Sequence, residues 1–93
     1  MLRISANRTP EGMWLHLEGS LSGSWVDELR RTAEGAQANS EVVLLDLQQL
    51  WYMDLEGVAL MRELLGRRVV LMNGSAFIKR QLGINPGGDE SAQ

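Results

Sequence analysis

Apolar and polar residues alternate early in the chain and gather into unbroken apolar runs later. Leu2, Ile4 and Ala6 alternate with Arg3, Ser5 and Asn7, a period of two that predicts a half-buried strand. Thr9-Pro10-Glu11-Gly12 is turn chemistry, since Pro presets φ and Gly tolerates positive φ. Met13, Leu15 and Leu17 then alternate with Trp14, His16 and Glu18, so the first two strands read as an antiparallel hairpin. Gly19 to Ser24 is small and polar, hence a loop. Ser24 with Asp27 three residues on marks a helix start with side-chain capping. Trp25, Leu29, Ala33 and Ala36 follow at helical spacing, and the helix fades between Gly35 and Asn39.

The pattern then changes. Val42-Val43-Leu44-Leu45 has no alternation, which predicts a central strand covered on both faces. Asp46 to Met53 reads as the connection leading out of it. Asp54 caps a second helix to about Leu65, with Gly66 as its left-handed stop. Val69 to Met72 is a fourth, wholly apolar strand. Ser75 caps a short helix over Ala76 to Leu82, ended by Gly83. Asn85-Pro86-Gly87-Gly88 and the polar remainder predict a disordered tail over residues 85–93, leaving one domain over residues 1–84. The order β-β-α-β-α-β-α defines an α/β fold. Its mixed sheet of about four strands has the first strand antiparallel and the rest parallel, and it carries three helices.

Composition narrows the function classes. Apolar residues make up 44 % of the 93-residue chain, enough for one small core. Cysteine is absent, which removes thiolate metal sites and cysteine nucleophiles. A net charge of −3 without a basic block argues against nucleic acid as a partner. No apolar run approaches the ~20 residues of a membrane span. Met1 to Ser5 does not read as a signal peptide, and the expected location is the cytoplasm. His16 is the sole histidine and has no second ligand beside it in sequence, so no metal or cofactor is expected. Gly19 to Gly23 lacks the lysine and spacing of a phosphate loop. No nucleophile-base-orienter set is visible, and the chain reads as a non-enzyme.

The residues that stand out are Asp54-Leu55-Glu56-Gly57: two carboxylates and a glycine at the mouth of a helix. Trp51 precedes this turn and Trp25 opens the first helix. Both follow the carboxyl ends of parallel strands, where open α/β sheets place their sites. Exposed aromatics there would form a protein-binding patch; the alternative is that both rings cover the sheet edge or core.

From Asp46 to Val58 the sequence resembles the STAS family, which includes bacterial anti-sigma factor antagonists and sulfate-transporter tails. The family pattern runs Asp-Leu-Ser, variable, aliphatic, variable, aromatic, aliphatic, Asp-Ser-Ser-Gly, aliphatic. This chain reads Asp46-Leu47-Gln48-Gln49-Leu50-Trp51-Tyr52-Met53-Asp54-Leu55-Glu56-Gly57-Val58. Leu17-Glu18-Gly19-Ser20-Leu21 is similar to the family's Leu-x-Gly-x-Leu, and the resemblance extends over about residues 2–83. It implies a STAS-like fold and a regulatory protein-protein interaction module. The implied partner is an anti-sigma factor or related histidine-kinase-like ATPase, bound through the loop and helix starting at Asp54. Asp54, Leu55, Glu56, Gly57, Trp51 and Trp25 are the expected contact residues.

In the family's switching members the second serine of Asp-Ser-Ser-Gly accepts phosphate. That position is Glu56 here and the preceding one is Leu55, so no phosphoacceptor is expected at this turn. A carboxylate in the first helical turn has the sign of phosphoserine, with less charge. Stand-alone relatives also serve phospholipid transporters and fused ones serve sulfate permeases, which makes a membrane (phospholipid or anion) transporter subunit the alternative partner. Nucleotide sensing is a third, weaker implication. The oligomeric state is left open.

Overall fold

The computed structural model describes residues 1–39 and 41–83. Seven elements follow one another: β1 (Leu2–Thr9), β2 (Gly12–Leu21), α1 (Ser24–Ala38), β3 (Val43–Met53), α2 (Leu55–Leu65), β4 (Val69–Met72) and α3 (Ala76–Gln81). The sheet order is β1-β2-β3-β4. β1 pairs antiparallel with β2, and β2–β3 and β3–β4 are parallel, as the alternating and apolar runs predict. The expected tail over residues 85–93 lies outside the described residues.

Period-two alternation sorts the sheet into two faces. Ile4, Leu15, Leu45, Leu47 and Val69 face one way, and Val26, Leu29, Leu60, Leu64 and Ile78 from all three helices join them in a single core. The other face carries cross-strand rows. One runs Asn7, Trp14, Leu44, Val70; the next runs Ser5, His16, Asp46, Met72. This corrects the expectation of a central strand covered by helices on both faces. Leu44 is buried, yet it lies outside the helix-side core, and its row neighbour Val70 is exposed. The unbroken run Val43-Leu44-Leu45 therefore serves a row of apolar neighbours on the second face, not a second helix layer.

β3 is also longer than expected. The stretch from Asp46 to Met53 is strand, not connection. Its pairing with β2 shifts twice, between His16 and Glu18 and between Gly19 and Ser20, and each shift lies where β3 carries an extra residue. The bulges reset the alternation, so Leu47, Leu50 and Met53 all reach the core at a spacing of three. Such spacing does not resemble a strand when read along the chain. At the first bulge a side chain takes up a backbone donor. Asp46 Oδ1 accepts the Gln48 N–H at 3.1 Å. Beyond Asp46 no β4 residue remains to pair with β3. There Gln81 takes over the role of a strand edge: its Oε1 accepts the Met53 N–H at 3.2 Å and its Nε2 donates to Met53 O at 3.0 Å.

Two helix ends differ from expectation. Gly66 closes α2 at φ −82°, so it is not left-handed; Arg68, two residues on, takes φ 47° instead. α1 is not capped by Ser24. Gly23 is the residue before the helix, at φ 60°, and no side chain caps the end. A positive φ there suits glycine, and it turns the Gly23 N–H toward α2. The Ser75 cap of α3 is as expected, accepting the Ile78 N–H at 3.1 Å.

Candidate functional site

The first turn of α2 sits where β3 ends, and Asp54 organises it. Its Oδ1 accepts the Gly57 N–H at 2.7 Å, satisfying one of the free donors of the helix end. Its Oδ2 accepts the Gly23 N–H at 3.1 Å, tying the start of α2 to the start of α1. Its own N–H donates to Leu21 O at 3.1 Å, at the end of β2. One aspartate therefore pins three segments that leave the same end of the sheet. Gly57 lets them approach: a Cβ at this position would lie 2.6 Å from Leu21 O and 3.1 Å from Leu21 Cγ.

This frame turns the two residues between Asp54 and Gly57 outward. Leu55 is 89 % exposed, and Glu56 is exposed beside it in the first turn. Among the described residues Glu56 has no ion-pair partner, so its carboxylate faces solvent at the positive end of the helix dipole. Leu55, Val58, Ala59 and Arg62 line a groove that Gln81 of α3 closes. Sequence reasoning missed the last four. The i, i+3, i+4, i+7 spacing of Leu55, Val58, Ala59 and Arg62 was the available signal, one helix face apart from the buried Leu60, Met61 and Leu64.

The two tryptophans do not meet. Trp51 is the extra residue of the second β3 bulge and is 67 % exposed. It borders a hollow with Met1, Arg3, Glu18, Gly19 and Ser20, and Tyr52 lies tilted against it at 6.1 Å. Trp25 is half-buried against the core and lines a different groove, with Leu2, Ile4, Ala6, Glu28 and Thr32. Ser20 is buried, and its hydroxyl accepts from the Met1 amine at 3.1 Å, which withdraws it from solvent.

A second polar cluster lies on the helix-free face. Asp46 Oδ2 meets His16 Nδ1 at 2.9 Å, and Asp46 Oδ1 accepts from Asn73 Nδ2 at 3.1 Å. The His16 ring stacks on Trp14 at 5.8 Å. Partial burial pushes the Asp46 carboxyl up, but the hydrogen bonds from Asn73, the Gln48 N–H and His16 outweigh it and hold the group below its ordinary range. Across the helices, Arg30 Nη1 donates to both Glu63 oxygens at 2.9 and 2.8 Å. That bond lowers the Glu63 carboxyl and raises the Arg30 guanidinium. Among the described residues no group of three or more His, Cys, Asp or Glu side chains could hold a metal, and no helix is long and apolar enough to cross a membrane.

An open mixed sheet with helices on one face, and a glycine-tight helix start after its long third strand, defines the class of fold. Comparison with solved structures then makes it particular: the chain has a STAS-like fold. The structure of the anti-sigma factor antagonist SpoIIAA in its unphosphorylated form superposes with a TM-score of 0.65 at 22 % identity, covering 99 % of this chain and 90 % of that one. An uncharacterised DUF3478-family protein with a SpoIIAA-like fold from Shewanella loihica PV-4 gives 0.57 at 20 % identity, covering 80 % of this chain and 66 % of that one. The crystal structure of Mglu gives 0.63 at 20 % identity over 73 % of this chain, which spans 19 % of the Mglu chain. No protein-family model matches the sequence, and no curated protein matches it.

Proposed function

We propose that this protein is a non-enzymatic regulatory module that binds another protein through the loop and helix starting at Asp54. The observation that carries this reading is the pinned first turn of α2, which holds Leu55 and Glu56 outward on a rigid frame. An apolar side chain beside a carboxylate at a helix end suits a complementary protein surface, and preorganisation lowers the cost of binding. Trp51, on the last stretch of β3, extends the surface. Trp25 lines a different groove, beside β1. The likeness to SpoIIAA, an anti-sigma factor antagonist, supports a partner of the anti-sigma factor or histidine-kinase-like ATPase class, met in the cytoplasm.

Glu56 gives the surface a fixed negative charge in place of a phosphorylatable serine, so binding here has no kinase switch at this turn. The test is affinity capture by the full chain from the native lysate, comparing the natural protein with Glu56→Ser and identifying what is retained. Glu56→Ser is expected to change capture of a small ATPase by at least about tenfold, ~1.4 kcal/mol, with an unchanged circular dichroism spectrum. Equal capture by both proteins refutes a role for Glu56. Retention of a transporter permease or its ATPase instead replaces the partner with the transporter class.

A further inference from the structure

We infer that the outer edge of β1 pairs with β1 of a second copy of this chain, antiparallel about a twofold axis at Ser5. The backbone sets the geometry. Ser20 N–H donates to Met1 O at 2.8 Å, and in an antiparallel ladder hydrogen-bonded pairs recur at every second residue. Arg3 with Glu18, Ser5 with His16 and Asn7 with Trp14 are therefore the bonded pairs. The N–H and C=O groups of Leu2, Ile4, Ala6 and Arg8 point away from β2. β1 is the edge of the sheet, and no strand among the described residues meets those groups. Water can satisfy these groups one by one, but an extended chain pairs with the whole row at once.

The side chains favour this chain itself as the occupant. Next to the edge, Leu2, Ile4 and Ala6 share a groove with Trp25, Glu28 and Thr32 of α1. A strand added there must present apolar groups toward the helix, and β1 presents Leu2, Ile4 and Ala6 on that side. Pairing outward groups with outward groups leaves few registers. The one that aligns the whole strand puts Leu2 opposite Arg8 and Ile4 opposite Ala6 of the second copy. Slipping it by one pair toward the turn brings Pro10, which has no N–H, into the ladder. In the aligned register Arg3 faces Asn7 of the second copy, so no two arginines oppose each other. Arg8 of the second copy lies beside Leu2, over the Trp25 ring and toward Glu28, and the twofold axis repeats this match. Within one chain Glu28 pairs with Arg31 at an exposed site, while Arg8 holds both oxygens of Glu41, whose side chain is 18 % exposed, so Arg8 gives up that pair to meet the second copy.

Ser5 then faces Ser5 in a non-hydrogen-bonded pair, where Cα atoms approach to about 4.5 Å, within disulfide reach. The chain has no cysteine, so Ser5→Cys carries a single thiol. Three measurements on the full chain test the pairing. The natural protein is expected to sediment toward twice its 10.4 kDa mass as concentration rises. Ser5→Cys is expected to oxidise to a covalent dimer, while Asn7→Cys, facing Arg3, does not. Ala6→Pro removes an outward N–H without touching the β1–β2 ladder. It is expected to weaken dimerisation at least about tenfold with circular dichroism retained. A monomer at every concentration overturns the proposal. So does equal cross-linking by Asn7→Cys, which denies the register. A monomer whose Ile4, Ala6 and Arg8 amides resist hydrogen exchange also overturns it, because the edge is then covered from within the chain.

Discussion

Replacing Gly57 by alanine sets two effects of known sign against each other. At an unobstructed helix position alanine is favoured over glycine by up to ~1 kcal/mol. Gly57 is obstructed. A Cβ there would sit 2.6 Å from Leu21 O, while ordinary contact begins at 3.4 Å, so about 0.8 Å must be opened (3.4 − 2.6). The obstacle is backbone, and it is held: Leu21 O accepts the Asp54 N–H, and Asp54 is bound in turn to Gly57 and Gly23. The helix cannot tilt away without loosening these bonds. Forcing a methyl into packed surroundings costs typically ~1–3 kcal/mol, and a fixed carbonyl places this site at the top of that range. The net expectation is destabilisation by about 2 kcal/mol, or roughly 8–16 °C in Tm. Gly35 in α1 is the internal control, since a Cβ there meets nothing within 4 Å. Gly35→Ala is expected to stabilise by ~0.5–1 kcal/mol. Urea unfolding followed by circular dichroism measures both. The reasoning is refuted if Gly57→Ala is as stable as the natural protein, or if both substitutions shift stability in the same direction.

Three further expectations follow from the hydrogen bonds. Asp54→Ala loses the cap and the Gly23 tie together and should cost about 1–3 kcal/mol, whereas Asp54→Ser keeps the cap and should cost about half as much in the same urea assay. Equal costs would show that the cap contributes nothing, and no cost for Asp54→Ser would show that the tie to Gly23 contributes nothing. The Asp46 carboxyl is depressed in the folded protein from an ordinary value of 3.8. Its contribution is therefore fully present above 3.8 and is lost as pH falls through the folded value. Asp46→Asn should flatten that acid limb of the stability profile and leave its shape near neutrality unchanged; an identical acid limb would count against the assignment. Gln81→Leu strands the Met53 N–H and C=O, with an expected cost of about 1–3 kcal/mol and faster hydrogen exchange at Met53. Unchanged exchange there would mean that water replaces Gln81 without penalty.

Local chemistry made much of the fold readable from the sequence. The Leu2 to Leu17 alternation around Pro10 and Gly12 specifies the hairpin, because each side chain's face depends only on its parity. The Asp54 and Ser75 caps depend on a side chain reaching an N–H three residues on, a distance set within one helical turn. The apolar spacing of Leu29, Ala33 and Ala36 marks the buried side of α1 in the same way. Where tertiary pairing intervened, sequence parity was not enough. Leu47, Leu50 and Met53 share one face of β3 only because β2 is shorter in residues across the same span, and a bulge exists only between two strands. The same bulge exposes Trp51, while the edge of β1 draws Trp25 into another groove, so two residues similar in sequence context part company in space. Leu44 ended on a face without helices because all three helices close on the other one. Asp54 shows both sources together. Its bond to Gly57 is written in the spacing of the two residues, but its bond to Gly23, 31 positions away, exists only because two loops leave the same end of one sheet.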